Sequence, residues 1–136
     1  MLSPTMQTLR LFLHILAASV WVGGQIVLAG IVPSLRRSFP DATKIVAQAF
    51  ARVAWPAFAI VVVTGLWNLM EIDVTNTSTS YQVTLFVKIA LAMLSGAAAA
   101  VHQIGQTKLA LAVGGALGLL AALGAMFCGY LLTTGV

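Results

Sequence analysis

Apolar residues occupy four long runs that short polar segments separate. The runs cover residues 11–35, 53–70, 83–101 and 109–132. About 20 apolar residues in a helix cross the hydrocarbon core of a bilayer. The first run is longer than the apolar core of a signal peptide, so we expect it to be retained as a span. The pattern predicts an all-α polytopic membrane protein, with one four-transmembrane-helix up-down bundle over residues 1–136.

The polar segments predict where the helices end. Pro40 should end the first helix, and Asp41 should act as the N-cap of the second. The amphipathic segment 42–52 is expected at the membrane interface. Residues 72–82 predict the one polar loop, and residues 102–108 predict a short turn. Short connections favour antiparallel neighbours.

Composition agrees with a membrane protein and excludes other classes. Hydrophobic residues make up 60% of the chain and charged residues only 7%, whereas soluble domains carry about 25% charged residues. The net charge is positive because the chain has only three acidic residues, not because it has many basic ones. This argues against a nucleic-acid partner. A single Cys128 excludes an intramolecular disulfide and a cysteine-based zinc cluster. The expected environment is the lipid bilayer.

The distribution of basic residues predicts the orientation in the membrane. Five basic residues lie on the side opposite the termini: Arg36, Arg37, Lys44, Arg52 and Lys108. The terminal side has only Arg10 and the more deeply placed Lys88. The positive-inside rule then predicts that both termini lie outside the cytoplasm. We expect a bacterial inner-membrane protein, for which that side is the periplasm.

Polar residues within the runs recur at helical spacing. The first run carries a stripe of His14, Ala18, Trp21, Gln25 and Leu28, and the third carries Lys88, Ala92, Ser95, Ala99 and His102. The second run adds Thr64, Asn68 and Glu71 on one face. These stripes should turn inward, because lipid offers no hydrogen-bond partner. The fourth run has a face of small residues that favours close helix packing and a homodimer: Gly114, Gly118, Ala121, Ala122, Ala125 and Gly129.

The two histidines are candidates for separate roles. His14 should lie roughly 5 Å inside the outer end, while His102 lies roughly 28 Å along a helix that starts there. They cannot share one metal ion within a subunit, because two ligating nitrogens lie about 4 Å apart. His14 is expected to bind a ligand or handle protons. His102 is either a ligand or an interfacial residue at the end of its helix.

Two site chemistries are open at His14. Sulfur-containing side chains would join it in a copper(I) site: Met70, Met93, Met126 and Cys128. Alternatively, Arg10 and Lys88 would neutralise the carboxylates of a tetrapyrrole whose iron His14 binds, and such cations would repel a bare metal ion. In a third interpretation, Lys88 reaches to the interface and pairs with Glu71 or Asp73.

Several short motifs resemble the copper resistance protein D family and the related haem-binding J-type protoporphyrinogen oxidases. They are LHILAASVWVGG from residue 13, VPSLRR from residue 32, TGLWNL from residue 64 and LFVKIALAML from residue 85. The resemblance implies a four-helix membrane module. It implies that His14 is a haem b ligand, that Lys88 lies near a propionate or substrate carboxylate, and that His102 matches a histidine at the far end of the third helix. VPSLRR is more similar to the copper proteins, which are tied to copper uptake or export.

We therefore expect an integral b-type haem protein for electron transfer or porphyrin redox chemistry, which leaves open a haem-dependent oxidoreductase. His14 would be the axial ligand, near Arg10, Trp21 and Lys88. The second ligand would be Met93, Met70 or Met126, or a residue of a second copy. The alternatives are a copper-handling protein that uses His14 with Met and Cys128 sulfur, and a structural subunit of a membrane complex. A redox partner or a periplasmic copper protein would be the corresponding partner.

Overall fold

The structure is a computed structural model that describes residues 1–135. Its elements are α1 (Met6–Ser38), α2 (Pro40–Met70), a 3₁₀ turn (Val74–Asn76), α3 (Thr79–Ile104) and α4 (Lys108–Thr134). All four α-helices are long and apolar enough to cross a membrane. Residues 1–135 include no β-strand. The prediction of an all-α, multi-pass membrane protein with four transmembrane helices is confirmed.

Hydroxyl side chains cap three of the helices. The Thr5 hydroxyl accepts from the Thr8 backbone N–H at 3.1 Å, and the Thr8 hydroxyl accepts from the Thr5 N–H at 3.3 Å, which forms a capping box before α1. Ser78 and Thr107 cap α3 and α4 in the same way, each accepting from a backbone N–H three residues later. These caps satisfy backbone donors that the first turn of a helix leaves without partners.

One residue, Phe39, separates α1 from α2. The prediction that Pro40 ends α1 is confirmed, because α1 ends at Ser38 and Phe39 is not helical. The physical reason is that the residue before a proline avoids helical backbone angles. The prediction that Asp41 caps α2 is wrong. Phe39 holds the N-cap position and Pro40 begins the helix, where its missing N–H costs no hydrogen bond. Asp41 instead lies in the first turn, where a negative charge is favourable to the helix dipole.

The polar loop is shorter than the predicted 72–82, because α3 already begins at Thr79. Asp73 organises this loop by accepting from the Thr75 hydroxyl at 2.6 Å and from the Asn76 amide at 2.5 Å. These hydrogen bonds, led by that from Thr75, lower the pKa of the exposed Asp73 carboxyl below its ordinary value. The Gln82 amide donates to the carbonyl of Val74 at 3.0 Å, which ties the loop to the first turns of α3.

The chain divides into two compact units, residues 1–72 and the residues from Asp73 onward. The first unit is an antiparallel pair of α1 and α2. At one end Arg10 contacts Glu71, and one turn further along α1 His14 contacts Thr64. Toward the other end the Phe50 ring of α2 fills the space that a side chain at Gly24 would need. None of the five residues in the predicted α1 stripe is exposed, which confirms that the stripe turns inward.

The second unit is an antiparallel pair of α3 and α4. The small residues of α4 predicted to pack closely are buried, apart from the half-buried Gly129. The Ser95 hydroxyl, 1% exposed, donates to the Gly118 carbonyl at 2.8 Å. A side chain at Gly114 would overlap the backbone of Ala98 and His102. The backbones therefore approach closely because the residues between them are small.

Candidate functional site

His14 is held by a hydrogen bond between α1 and α2. Its Nδ1 lies 2.8 Å from the Thr64 hydroxyl oxygen, and Thr64 is 4% exposed. The Thr64 hydroxyl donates its single proton to the Ile60 carbonyl at 2.5 Å. Its oxygen therefore accepts from His14 Nδ1–H. This network places a proton on Nδ1, so in the neutral ring the lone pair lies on Nε2.

The His14 ring lies against the backbone of α2. A Cβ atom built at Gly65 would be 3.3 Å from His14 Cε1. That distance is tight, so the absence of a side chain at Gly65 allows the ring to approach the helix. Thr64 and Gly65, the first two residues of the TGLWNL motif, thus orient the imidazole together.

Arg10 lies one helical turn before His14 and contacts a Trp–Glu pair on α2. Arg10 Nη1 is 3.6 Å from Glu71 Oε1, and the Trp67 indole N–H donates to that same oxygen at 3.3 Å. The Arg10 guanidinium carbon is 5.9 Å from the centre of the Trp67 ring, within the range of a cation–π interaction. Arg10 is only 9% exposed.

A cavity of about 220 Å³ opens at this cluster, and its wall is formed by Met6, Gln7, Arg10, Trp67 and Glu71. Arg10 Nε is buried and has no hydrogen-bond partner among the residues that the structure describes. Arg10 therefore contributes a fixed positive charge to the cavity wall, while its unpartnered Nε–H is itself buried.

Trp21, predicted to lie at the cofactor, is 5% exposed and packs in an aromatic cluster. Its ring centre lies 5.5 Å from that of Trp55, in an edge-to-face arrangement, and 4.6 Å from that of Phe58. These contacts give Trp21 a packing role between α1 and α2. Its role at a cofactor stays a prediction.

Lys88 and Cys128 come together in the second unit, where both are half-buried. A Cβ atom built at Gly129, next to Cys128, would lie 3.4 Å from Lys88 Nζ. The carboxylates proposed as partners of Lys88 are engaged elsewhere: Glu71 contacts Arg10, and Asp73 accepts from its own loop. Lys88 thus rests against the small-residue face of α4.

His102 is exposed and joins the end of α3 to the start of α4. Its Nδ1–H donates to the Leu111 carbonyl at 2.6 Å, and a Cβ atom built at Gly115 would lie 3.1 Å from Nδ1. This position agrees with the interpretation of His102 as an interfacial residue at the end of α3. The acceptor of its hydrogen bond belongs to α4. A role for His102 as a ligand stays a prediction.

The methionines proposed as metal ligands lie on exposed faces. Met70 is 76% exposed, Met93 56% and Met126 42%. Across residues 1–135, no three His, Cys, Asp or Glu side chains group in a way that could hold a metal ion. The sulfur-containing copper site stays a prediction.

Sequence reasoning placed Thr64 on a polar face but missed its pairing with His14. A usable signal was present, because His14 precedes Phe39 by 25 residues and Thr64 follows it by 25. Two straight helices joined by a single residue bring such equidistant positions to the same level. The contact of Trp67 with Arg10 was also missed, although Trp67 lies 28 residues after Phe39 and Arg10 lies 29 before it.

Comparison of the chain with protein-family models, with curated proteins and with solved structures finds no match. The resemblance to the copper resistance protein D family and the J-type oxidases therefore stays a prediction from the four motifs.

Proposed function

We propose that this membrane protein binds b-type haem through Nε2 of His14. The main support is the hydrogen bond from His14 Nδ1–H to Thr64, whose hydroxyl proton goes to the Ile60 carbonyl. Metal-ligating histidines commonly donate their second ring N–H to such an acceptor, which fixes the tautomer and orients the ring. The donor set at His14 thus fits an iron ligand.

The charge beside His14 also fits haem better than a bare cation. Arg10 is a nearly buried cation one turn from His14, and its Nε–H has no partner among residues 1–135. Glu71 now offsets this charge at 3.6 Å; with the exposed Glu71 side chain displaced, Arg10 would stabilise a propionate carboxylate and repel a copper ion. The role of Lys88 near a propionate stays a prediction from the sequence. Bound haem would supply one-electron redox chemistry for electron transfer or porphyrin oxidation.

The test is an absorption spectrum of the purified protein, oxidised and then reduced with dithionite, with metal analysis of the same sample. We expect a Soret band and sharp reduced α and β bands, which His14→Ala should abolish. His102→Ala is the matched control, because His102 is exposed and hydrogen-bonded at a helix end, and it should retain haem. Circular dichroism would verify that both variants remain helical.

Other results would contradict the proposal. Wild-type haem content in His14→Ala would exclude His14 as the required ligand. Stoichiometric copper without haem would favour the copper-handling function. If neither binds after haem and copper(I) are supplied, the structural-subunit interpretation is favoured.

A further inference from the structure

The buried guanidinium of Arg10 is incompletely satisfied. Its contact with Glu71 is 3.6 Å long, outside ordinary hydrogen-bond range, and involves Nη1. The Nε–H is buried and lacks an acceptor among the described residues. Burying a charged donor without a partner is costly, so an arginine in this state favours an additional anionic acceptor.

The cavity beside Arg10 has room for such an acceptor. At about 220 Å³ it corresponds to several water molecules, which suffices for a carboxylate on a short chain but not for a whole tetrapyrrole. The Arg10 guanidinium lies in its wall, and the Trp67 indole N–H donates there to Glu71. The amide of Gln7 adds a third polar group to the lining.

Glu71 indicates which anion suits the site. Its carboxylate already receives the Trp67 N–H and lies closest to Arg10, so the chain itself places a carboxylate at these donors. The Glu71 side chain is 56% exposed, whereas that of Arg10 is 11% exposed. An exposed side chain can leave the cavity at little cost, while Arg10 stays in its wall.

We propose that the cavity is a carboxylate-binding site in which Arg10 and Trp67 donate to the ligand and Glu71 is an internal competitor. The incoming carboxylate would take the place of the Glu71 carboxylate at the Arg10 guanidinium and the Trp67 N–H. The site goes beyond the proposed function because it requires no haem. A free short-chain carboxylate and the propionate arm of a tetrapyrrole held at His14 share this chemistry.

The first experiment titrates the haem-free, detergent-purified full chain with sodium propionate at constant ionic strength. Isothermal titration calorimetry measures binding, and tryptophan fluorescence of the wild type shows whether an indole responds to the ligand. Propionamide, which is neutral and of the same shape, is the control ligand and should not bind. We expect saturable binding to the wild type and none to Arg10→Gln.

Glu71→Gln keeps the test decisive if Arg10→Gln fails to fold. Because Glu71 is half-exposed and competes for Arg10, its neutralisation should tighten propionate binding about fivefold. Arg10→Lys keeps the charge but loses the planar set of donors, so it should bind more weakly than the wild type. Unchanged affinity in Glu71→Gln, or equal binding of propionamide, would overturn the site.

A second experiment separates the two sources of the carboxylate, using haem and haem dimethyl ester, in which both carboxylates are blocked. If a propionate arm occupies the cavity, the wild type should prefer haem about tenfold, and Glu71→Gln should increase that preference. Saturable propionate binding without a preference for haem would support a free carboxylate as the ligand. If propionate binds but neither tetrapyrrole does, the proposed function fails while the carboxylate site stands.

Discussion

A single hydroxyl determines which group donates in the hydrogen bond at His14 Nδ1. The Thr64 oxygen accepts from the imidazole because its own proton is directed to the Ile60 carbonyl. In a membrane interior such a network persists because lipid offers no competing partner. The polar stripes of the sequence predict that Thr64 faces inward. That His14 Nδ1–H is the hydrogen-bond donor follows only from the relative positions of the imidazole, the Thr64 hydroxyl and the Ile60 carbonyl.

Thr64→Val removes this acceptor with almost no change in shape, and Thr64→Ser retains it. We expect Thr64→Val to weaken haem binding about 10- to 100-fold, because the tautomer and ring orientation are no longer fixed. The cost to folding should be only about 0.6 kcal/mol, as for other hydrogen bonds within membranes. Haem titration of the purified variants measures the effect. Equal affinities in the two variants would contradict the assigned role.

At the scale of elements, α3 and α4 pack through glycine and alanine. Lipid removes the hydrophobic driving force between transmembrane helices, so their pairing depends on close van der Waals contact. A Cβ atom at Gly114 would lie 2.8 Å from the backbone nitrogen of His102 and 2.9 Å from the carbonyl oxygen of Ala98. Both neighbours are backbone atoms, which cannot move aside without shifting a helix.

Gly114→Ala should therefore destabilise the protein by about 1–3 kcal/mol, the usual cost of overpacking a close contact. Gly23→Ala is the control, because a Cβ atom there meets nothing within 4 Å. Alanine also favours helix more than glycine, so the control should be neutral or slightly stabilised. Unfolding of both variants in mixed detergent micelles gives the comparison. Similar losses of stability in the two variants would show that the close approach of the α3 and α4 backbones does not limit stability.

At the scale of the whole molecule, the proposed topology has four membrane crossings, which would put the two termini and the 71–78 connection on one side. Phe39 and the turn at 105–107 then lie on the other side. Most basic residues flank these two turns, and translocating them is unfavourable. The proposed orientation therefore has both termini outside the cytoplasm.

Reporter fusions in a bacterial inner membrane test this orientation. Alkaline phosphatase, which is active only outside the cytoplasm, should be active when fused after Gly135 and inactive when fused after Gly105. Green fluorescent protein should show the opposite pattern. Replacing Arg36 and Arg37 with glutamine should reduce the difference in reporter activity between the two fusion positions, because these residues contribute to the excess of positive charge on one side of the membrane. The reverse activities would place the termini in the cytoplasm.

The candidate site was only partly predictable. The sequence singled out His14 on its polar stripe and Arg10 beside it at the same end of the span, because ionisable groups are conspicuous in apolar sequence. The prediction for Asp41 failed because proline competes for the first position of a helix. The pairing of Arg10 with Glu71 was likewise open, since the choice among carboxylates depends on which helices meet.

The sequence by itself determined the class of the protein. Long apolar runs impose transmembrane helices, because a helix satisfies its own backbone hydrogen bonds within lipid. Tertiary structure decided the chemistry, since it set the tautomer of His14 and left Arg10 Nε without a partner among residues 1–135. Hydrogen bonding acts over about 3 Å, so residues distant in sequence interact only after the helices have packed.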